Sequence, residues 1–423
     1  MGFSNLLYSV ARRGKALLPQ KIKNKITQKI IETRSASFSE VGDIERFNPS
    51  LEDLQANEEV TSKQEKYFGE KITSATWFVP YIPFPYYGGI FTIYRFCNYL
   101  ISKGIKVRLS VRDCPQAEQS DYAERICKTF PNLDQAEIFF QKTIDDVSKI
   151  PDSDISFATD WPSAYSSLSF NRVKIKYYFI QDYEPLCYQA GAISGLAELT
   201  YHLGFIPIIN TQGLYEYYSR RHNPDRGVYF NPSVDRNIFH YEANRVANES
   251  LPTRIFYYCR PNSGRNGFSL GISTLKRIKE KWEDRVDIVL AGSVYNDPLL
   301  DQYPNHFSKL GLLPYENTGS LYRRCHIGLV TMYTPHTSYL PLELMACGVC
   351  VVTNKSDAKD WLIQDNYNGL YSKPIISELE SKIDRLIENP NLRKEISNNG
   401  VKFLSNFSWD DALEKVYMFL TTA

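Results

Sequence analysis

Apolar and polar positions alternate between two periods along most of the chain. Residues 74–79 are largely apolar and β-prone, the pattern of a strand buried on both faces. A proline-punctuated loop at 80–85 leads through Tyr86-Tyr87-Gly88-Gly89 into a helix-like stretch at 90–102, and Gly104 precedes a second strand at 106–111. Strands at 154–159, 173–181 and 205–210 then alternate with helices at 162–169, 192–203 and 212–220. A polar stretch, 241–252, separates these from a second set. That set comprises a strand at 254–259, a helix at 268–283, a strand at 286–291, a short helix closing at 321–324, a strand at 326–332, a helix at 340–347 and a strand at 349–353. Strands and helices in alternation predict parallel sheets covered on both faces, hence an α/β chain of two doubly wound domains. Such sheets bind ligands at the carboxyl ends of their strands, so a two-substrate reaction belongs in the cleft between the domains.

The amino-terminal segment has a different character. Leu6, Leu7, Val10, Leu17 and Leu18 give one apolar stripe, Pro19 interrupts it, and Ile22, Ile26 and Ile30 continue at i+4 with lysines between them. Residues 1–35 carry a net charge of +7, against −6 for the rest. A basic amphipathic helix of this kind either lies on an anionic membrane, each cation contributing about 1 kcal/mol, or packs its isoleucine face on the protein. Both readings are open. Residues 36–70, polar and acidic without a sustained period, read as a linker or irregular cover.

Composition narrows the function classes. The 423 residues are 43% apolar, enough for two or three cored units at roughly 150 residues each. The charge is balanced, 49 basic against 48 acidic residues, so no body-wide nucleic-acid footprint is expected. No apolar run reaches the length of a membrane-spanning helix, and the first residues lack the apolar core and cleavage site of a secretory signal, which makes the cytoplasm the expected location. Eight cysteines are scattered through apolar segments; Cys347 and Cys350 form a C-x-x-C with no second pair or histidine cluster, and read as buried thiols. No metal site is expected. Aromatic residues make up 14%, which suits carbohydrate sites and cores alike.

The chemistry concentrates in Tyr333-Thr-Pro-His-Thr-Ser-Tyr-Leu-Pro-Leu-Glu343-Leu-Met-Ala-Cys-Gly348. Here a strand feeds a loop of small and polar residues, and a helix opens with free N–H groups directed back at that loop, an anion site by geometry and dipole. Glu343, about one turn in, is placed to accept hydrogen bonds from vicinal hydroxyls, as an acid binds ribose in dinucleotide folds.

This segment resembles the signature helix of the retaining family 4 glycosyltransferases of the GT-B fold, Glu-Gly-x-Gly-x-x-x-x-Glu-x-x-Ala-x-Gly-x-Pro-Val-Val. Pro-His-Thr-Ser-Tyr-Leu-Pro-Leu-Glu and Tyr-Phe-Ile-Gln181-Asp182-Tyr183-Glu184-Pro185 resemble the WsaF-like bacterial rhamnosyltransferases more closely. The resemblance covers roughly residues 74–410. It implies two Rossmann-like domains facing each other across a cleft: an acceptor-side domain at 61–245 and a nucleotide-sugar-binding domain at 246–405. An extension and linker at 1–60 would precede them, and a helix at 406–423 would return to the first domain.

The resemblance also assigns roles. Glu343 would hold the nucleotide ribose, and the backbone of Ser338, Tyr339 and Leu340 would face the diphosphate. His336 would contact phosphate or sugar. Arg260 and Arg265 match the basic pair that stabilises the leaving diphosphate, surface charge being the alternative for each. Gly88 and Gly89 match the Gly-Gly loop that approaches the diphosphate, although any tight turn uses such a pair. Gly292 and Ser293 would line the nucleotide pocket, and Gly311, Leu312 and Leu313 would meet the nucleobase. Asp160 falls at the acceptor side, where Thr159 stands in place of the family's histidine; a helix N-cap is the equal alternative. Asp182 and Glu184 would bind acceptor or sugar hydroxyls, with structural capping as the alternative. Pro335 replaces the first acid of the family's Glu-x7-Glu pair and leaves the donor-sugar contact unassigned.

The implied activity is metal-independent, retaining transfer of L-rhamnose from dTDP-L-rhamnose to a glycan or lipid-linked glycan acceptor of a bacterial surface polysaccharide. No cofactor beyond this donor substrate is implied. The enzyme would sit peripherally at the inner membrane face, through residues 1–35, with a homodimer as an open alternative. An epimerase acting on a sugar nucleotide, and a non-catalytic glycan-binding protein, are the rival readings.

Overall fold

The apolar runs of the first half line up as one parallel sheet. The computed structural model describes residues 40–84, 88–143, 146–242, 252–261, 263–292 and 298–422. In the first domain lie β1 (Ser74–Pro80), β2 (Lys106–Arg112), β3 (Glu137–Gln141), β4 (Ser153–Ala158), β5 (Val173–Ile180), β6 (Ile206–Asn210) and β7 (Val228–Phe230). Their spatial order is β3-β2-β1-β4-β5-β6-β7, every pair parallel. Helices on both faces bury Ala75 to Val79 completely, which is why β1 reads as a largely apolar run, with Thr76 its one buried hydroxyl. Trp77 stacks on Phe157 of the neighbouring strand with ring centroids 3.9 Å apart.

The second domain repeats the scheme with β8 (Thr253–Tyr258), β9 (Val286–Ala291), β10 (Ser308–Gly311), β11 (Ile327–Val330), β12 (Cys350–Asn354) and β13 (Leu370–Ser372), in the order β10-β9-β8-β11-β12-β13. Strand order reverses at β1/β4 in the first sheet and at β8/β11 in the second. A crevice opens beyond the carboxyl ends of the strands at each such switch point. The two crevices face one another: Gly213 of the first domain packs so tightly on the second that an added Cβ would lie 2.0 Å from the Ala358 carbonyl oxygen.

The carboxyl-terminal helix Trp409–Thr422 crosses back. Ala412, Leu413, Val416 and Leu420 join the core of the first sheet, and Lys103 pairs with Glu414 at 3.0 Å.

Several elements depart from the pattern-based expectation. Residues 36–70 are not irregular where described: helices Glu40–Arg46 and Leu51–Thr61 and a turn Gln64–Tyr67 cover the first domain. Their attachment is partly polar, so no apolar period announces it. Asn57 donates to the Leu203 carbonyl at 2.9 Å and accepts from Lys176 Nζ at 2.9 Å. Lys176, wholly buried, also donates to the Ser167 and Leu168 carbonyls and Asn171 Oδ1, and burial lowers it to about 7. The expected helix 192–203 is α-helical only over Ala192–Leu199 and tightens to a 3-10 turn at Thr200–His202. The expectations for residues 1–35 lie outside the described residues. Among the described residues no helix is long and apolar enough to cross a membrane.

Candidate functional site

Three loops of the second domain meet at its switch point. β8 delivers Cys259 and Arg260; the chain then makes a 3-10 turn, Gly264–Asn266, and passes through Gly267 at φ 60° into the helix Phe268–Trp282. The ring of Tyr333, from the loop after β11, covers Gly267 so closely that an added Cβ would lie 2.5 Å from it. Tyr333 N donates to the Arg265 carbonyl at 2.8 Å, joining the two loops. The third loop follows β12. Asn354 both accepts from Met332 N and donates to Met332 O, each at 2.8 Å, and buried Lys359 donates to Met332 O at 3.1 Å and to Asn354 Oδ1 at 2.6 Å. These bonds fix the stretch that leads into 333–339. No local period marks Lys359 or Asn354, and neither was expected there.

The turn before the helix Leu340–Ala346 is tight. Ser338 adopts φ 67°, unusual for a residue with a side chain, and its N–H donates to His336 Nδ1 at 3.1 Å. A ring that accepts at Nδ1 carries its proton on Nε2 when neutral. Burial lowers His336 to about 4, so neutral is its state at pH 7, and among the described residues the buried Nε2 has no hydrogen-bond partner. Glu343 lies within the first turn, only partly exposed. Its carboxyl group makes no hydrogen bond or ion pair among the described residues, and burial pushes it up to about 8. Arg260 is exposed, with its guanidinium 5.8 Å from the Tyr258 ring centroid and no carboxylate partner among the described residues.

Beside them, Gly292 N donates to the Gly311 carbonyl at 3.0 Å. Gly292 has φ 113°, and an added Cβ would lie 2.1 Å from the Tyr258 ring, so the position admits only glycine. Leu313 is half-buried against the core, and Leu312 is exposed. Ser293 lies outside the described residues.

The first domain closes the opposite wall. Gly88 and Gly89 form the first turn of the helix Gly88–Ser102, two residues earlier than the apolar pattern suggests. A Cβ at Gly88 would meet nothing within 4 Å among the described residues, whereas Gly89 faces Gln181, whose Nε2 donates to the Gly89 carbonyl at 3.1 Å. Asp160 takes the capping role: Oδ1 accepts from Ser163 N at 2.9 Å and Oδ2 from Arg112 at 2.7 Å. Glu184 is likewise spent on structure, accepting from Trp161 N at 2.6 Å and the Tyr178 hydroxyl at 3.1 Å; burial and then the nearby Asp160 charge raise it to about 8.

Side chains of the two domains meet across the cleft. Asp182 is ion-paired with Arg265 and accepts from the Thr334 hydroxyl at 3.0 Å. Tyr339 lies 2.8 Å from the Thr92 hydroxyl and accepts from Asn210 Nδ2 at 2.7 Å. The structure therefore brings Arg265, Asp182, His336 and Tyr339 together across the cleft, and keeps Asp160 in a helix cap. Sequence reasoning missed Thr92 and Asn210, which belong to no local motif, and assigned no role to Thr334, which lies within the quoted loop.

Among the described residues one group has metal-ligating composition, Glu198, His202 and His222, with ligand atoms within 4.8 Å of one another. The Tyr183 hydroxyl sits at 2.7 and 2.8 Å from the Glu198 oxygens and 2.9 Å from His222 Nε2, so hydrogen bonding already engages two of the three. Cys347 and Cys350 are buried.

Residues 253–384 match the model of the family "WsaF, C-terminal domain". The O-antigen biosynthesis protein RfbC of Myxococcus xanthus is 38% identical over 347 residues, 82% of this chain but 27% of that protein, so the chain spans about a quarter of this relative's length. HepE of Anabaena, solved with UDP and glucose, superposes with a TM-score of 0.65 at 15% identity over 83% of this chain and 100% of its own. Sucrose-phosphate synthase of Thermosynechococcus elongatus superposes with a TM-score of 0.62 at 14% identity over 82% of this chain and 98% of its own. The chain has the GT-B fold, and its second domain is of the WsaF C-terminal type.

Proposed function

We propose that the chain is a glycosyltransferase that moves a sugar from a nucleoside diphosphate donor to a hydroxyl of a bacterial surface polysaccharide. Glu343 carries this reading: a carboxyl group without a partner among the described residues, one turn into the helix that follows the signature loop. Burial disfavours its charged form, and the hydroxyls of a ligand would supply hydrogen bonds that the described residues do not. The O-antigen role in the name of RfbC and the UDP bound to HepE support a nucleotide-sugar donor and a polysaccharide product.

The residues divide the work as follows. Glu343 accepts from the ribose hydroxyls, and the backbone of Gly292, Gly311 and Leu313 lines the nucleoside. Arg260 and the N–H groups at Tyr339 and Leu340 meet the diphosphate, Gly88 and Gly89 approach it from the other domain, and Arg265 reaches it on release from Asp182. As the glycosidic bond breaks, negative charge grows on the diphosphate and these donors stabilise it; one such donor is typically worth about 3 kcal/mol. The sugar passes through an oxocarbenium-like state. The leaving phosphate oxygen takes the acceptor hydroxyl's proton from the same face while the new glycosidic bond forms, which retains configuration and requires no protein nucleophile. His336 Nε2–H is available to a phosphate or sugar oxygen.

Resemblance to the WsaF-like enzymes across 335–343 and 178–185 supports dTDP-L-rhamnose as donor, and the basic segment 1–35 supports a lipid-linked acceptor met at the inner membrane face. A thermal-shift screen across nucleotide sugars tests the donor. At hundredfold excess over Kd the true donor stabilises by about 2.7 kcal/mol. Glu343→Gln is expected to abolish most of that shift, and a wild-type protein indifferent to every nucleotide sugar contradicts the proposal.

A further inference from the structure

A second groove, of about 360 Å³, runs along the domain boundary next to the signature loop. One wall is the helix Gln212–His222, contributing Tyr217, Arg220 and Arg221; the other is Tyr333 to Pro335 with Asp357. It opens beside the cleft already described, since Thr334 in its wall bonds Asp182, the partner of Arg265. Its volume lies within the usual range of small-ligand sites, about 300–1,000 Å³.

The charge pattern identifies the ligand. Arg220 and Arg221 are both exposed, and neither pairs with a carboxylate among the described residues. Glu216, one turn away on the same helix, is bonded instead by Gln212 at 2.9 Å. The Arg221 guanidinium is held over the Tyr217 ring, 3.6 Å from its centroid, and donates to the Tyr217 carbonyl at 3.4 Å, so it is oriented before any ligand arrives. Tyr333 adds a second, exposed aromatic ring on the facing wall. Aromatic surface suits the apolar face of a sugar, a positioned guanidinium suits a carboxylate or phosphate, and Asp357 supplies an acceptor for hydroxyls.

We propose that this groove is the acceptor subsite and that it takes an acidic saccharide, its carboxylate or phosphate held by Arg220 and Arg221 and its ring against Tyr217 and Tyr333. The assignment as acceptor subsite rests on the glycosyltransferase reading; the preference for an acidic saccharide rests on the groove alone.

Titration calorimetry in 0.1 M salt tests it with three probes: tetragalacturonate as the carboxylated saccharide, maltose 1-phosphate as the phosphorylated one and maltotetraose as the neutral control. The wild-type chain is expected to bind at least one acidic probe tenfold or more tighter than maltotetraose, and which one it prefers names the acidic group. Arg220→Gln/Arg221→Gln removes the preference, and Asp357→Asn, by deleting a like charge across the groove, tightens the acidic probe severalfold. All variants bind UDP or dTDP as the wild type does. Equal affinity for acidic and neutral probes, or a preference that survives in the double variant, overturns the proposal. A wild-type chain that prefers acidic probes but binds no nucleoside diphosphate overturns the acceptor role and the transferase reading while leaving the groove's selectivity standing.

Discussion

Arg265, on the loop after β8, is ion-paired with Asp182, which follows β5 in the other domain, and the same carboxylate oxygen accepts the Thr334 hydroxyl at 3.0 Å. Both partners face the cleft, so an arriving diphosphate competes with Asp182 for the guanidinium and is repelled by the carboxylate. Asp182→Asn removes both effects. We expect UDP or dTDP to bind three- to tenfold tighter by titration calorimetry, about 0.7–1.4 kcal/mol. The same variant loses a cross-domain ion pair that is only partly shielded from water, so it should be less stable by about 1–2 kcal/mol in chemical denaturation. Weaker nucleotide binding contradicts this account of the pair.

Glu343 makes stability depend on pH. Its folded pKa, about 8, lies above the unfolded carboxylate value, so the protonated form is the one the fold favours. Its contribution is fully present below about pH 4.5 and is lost as pH rises through about 8. Glu343→Gln removes that loss. In urea titrations the variant should exceed the wild type by about 1–3 kcal/mol at pH 8.5 and match it near pH 4.5. An advantage of the same size at both pH values would contradict the burial-driven shift.

Sequence patterns reached the centre of each sheet and stopped at its edges. The largely apolar, β-prone segments of β1, β5 and β9 mark strands covered on both faces, whereas β7, β10 and β13 span three or four residues and offer no period to read. The helix Leu51–Thr61 is held through Asn57 and the buried Lys176, polar contacts that resemble solvent-facing residues in sequence. The same division runs through the site. Arg260, Gly292, His336 and Glu343 sit in local motifs, which is why spacing and resemblance single them out. The bonds joining Arg265 to Asp182 and Tyr339 to Asn210 link residues 83 and 129 positions apart and exist only once the domains pack.

The Tyr339 hydroxyl supports that packing. Tyr339→Phe leaves Thr92 and Asn210 without it, and Asn210 Oδ1 already lacks a partner among the described residues. The variant should lose about 1–2 kcal/mol in thermal or urea unfolding. An unchanged midpoint would show that the bond across the cleft contributes nothing net.

The basic segment 1–35 has its own test. Sedimentation with vesicles of anionic lipid should retain the full chain at low salt and release it at high salt, whereas a chain lacking those residues should stay in the supernatant at both. Equal, salt-insensitive binding of the two removes the anchoring role.

A crystal structure with dTDP or UDP soaked in tests the nucleotide-binding claim most directly. The account predicts the diphosphate within hydrogen-bond distance of the Arg260 guanidinium and the N–H groups at Tyr339 and Leu340, with the ribose hydroxyls on Glu343. A nucleotide bound elsewhere, or that space empty at saturating ligand, would contradict it.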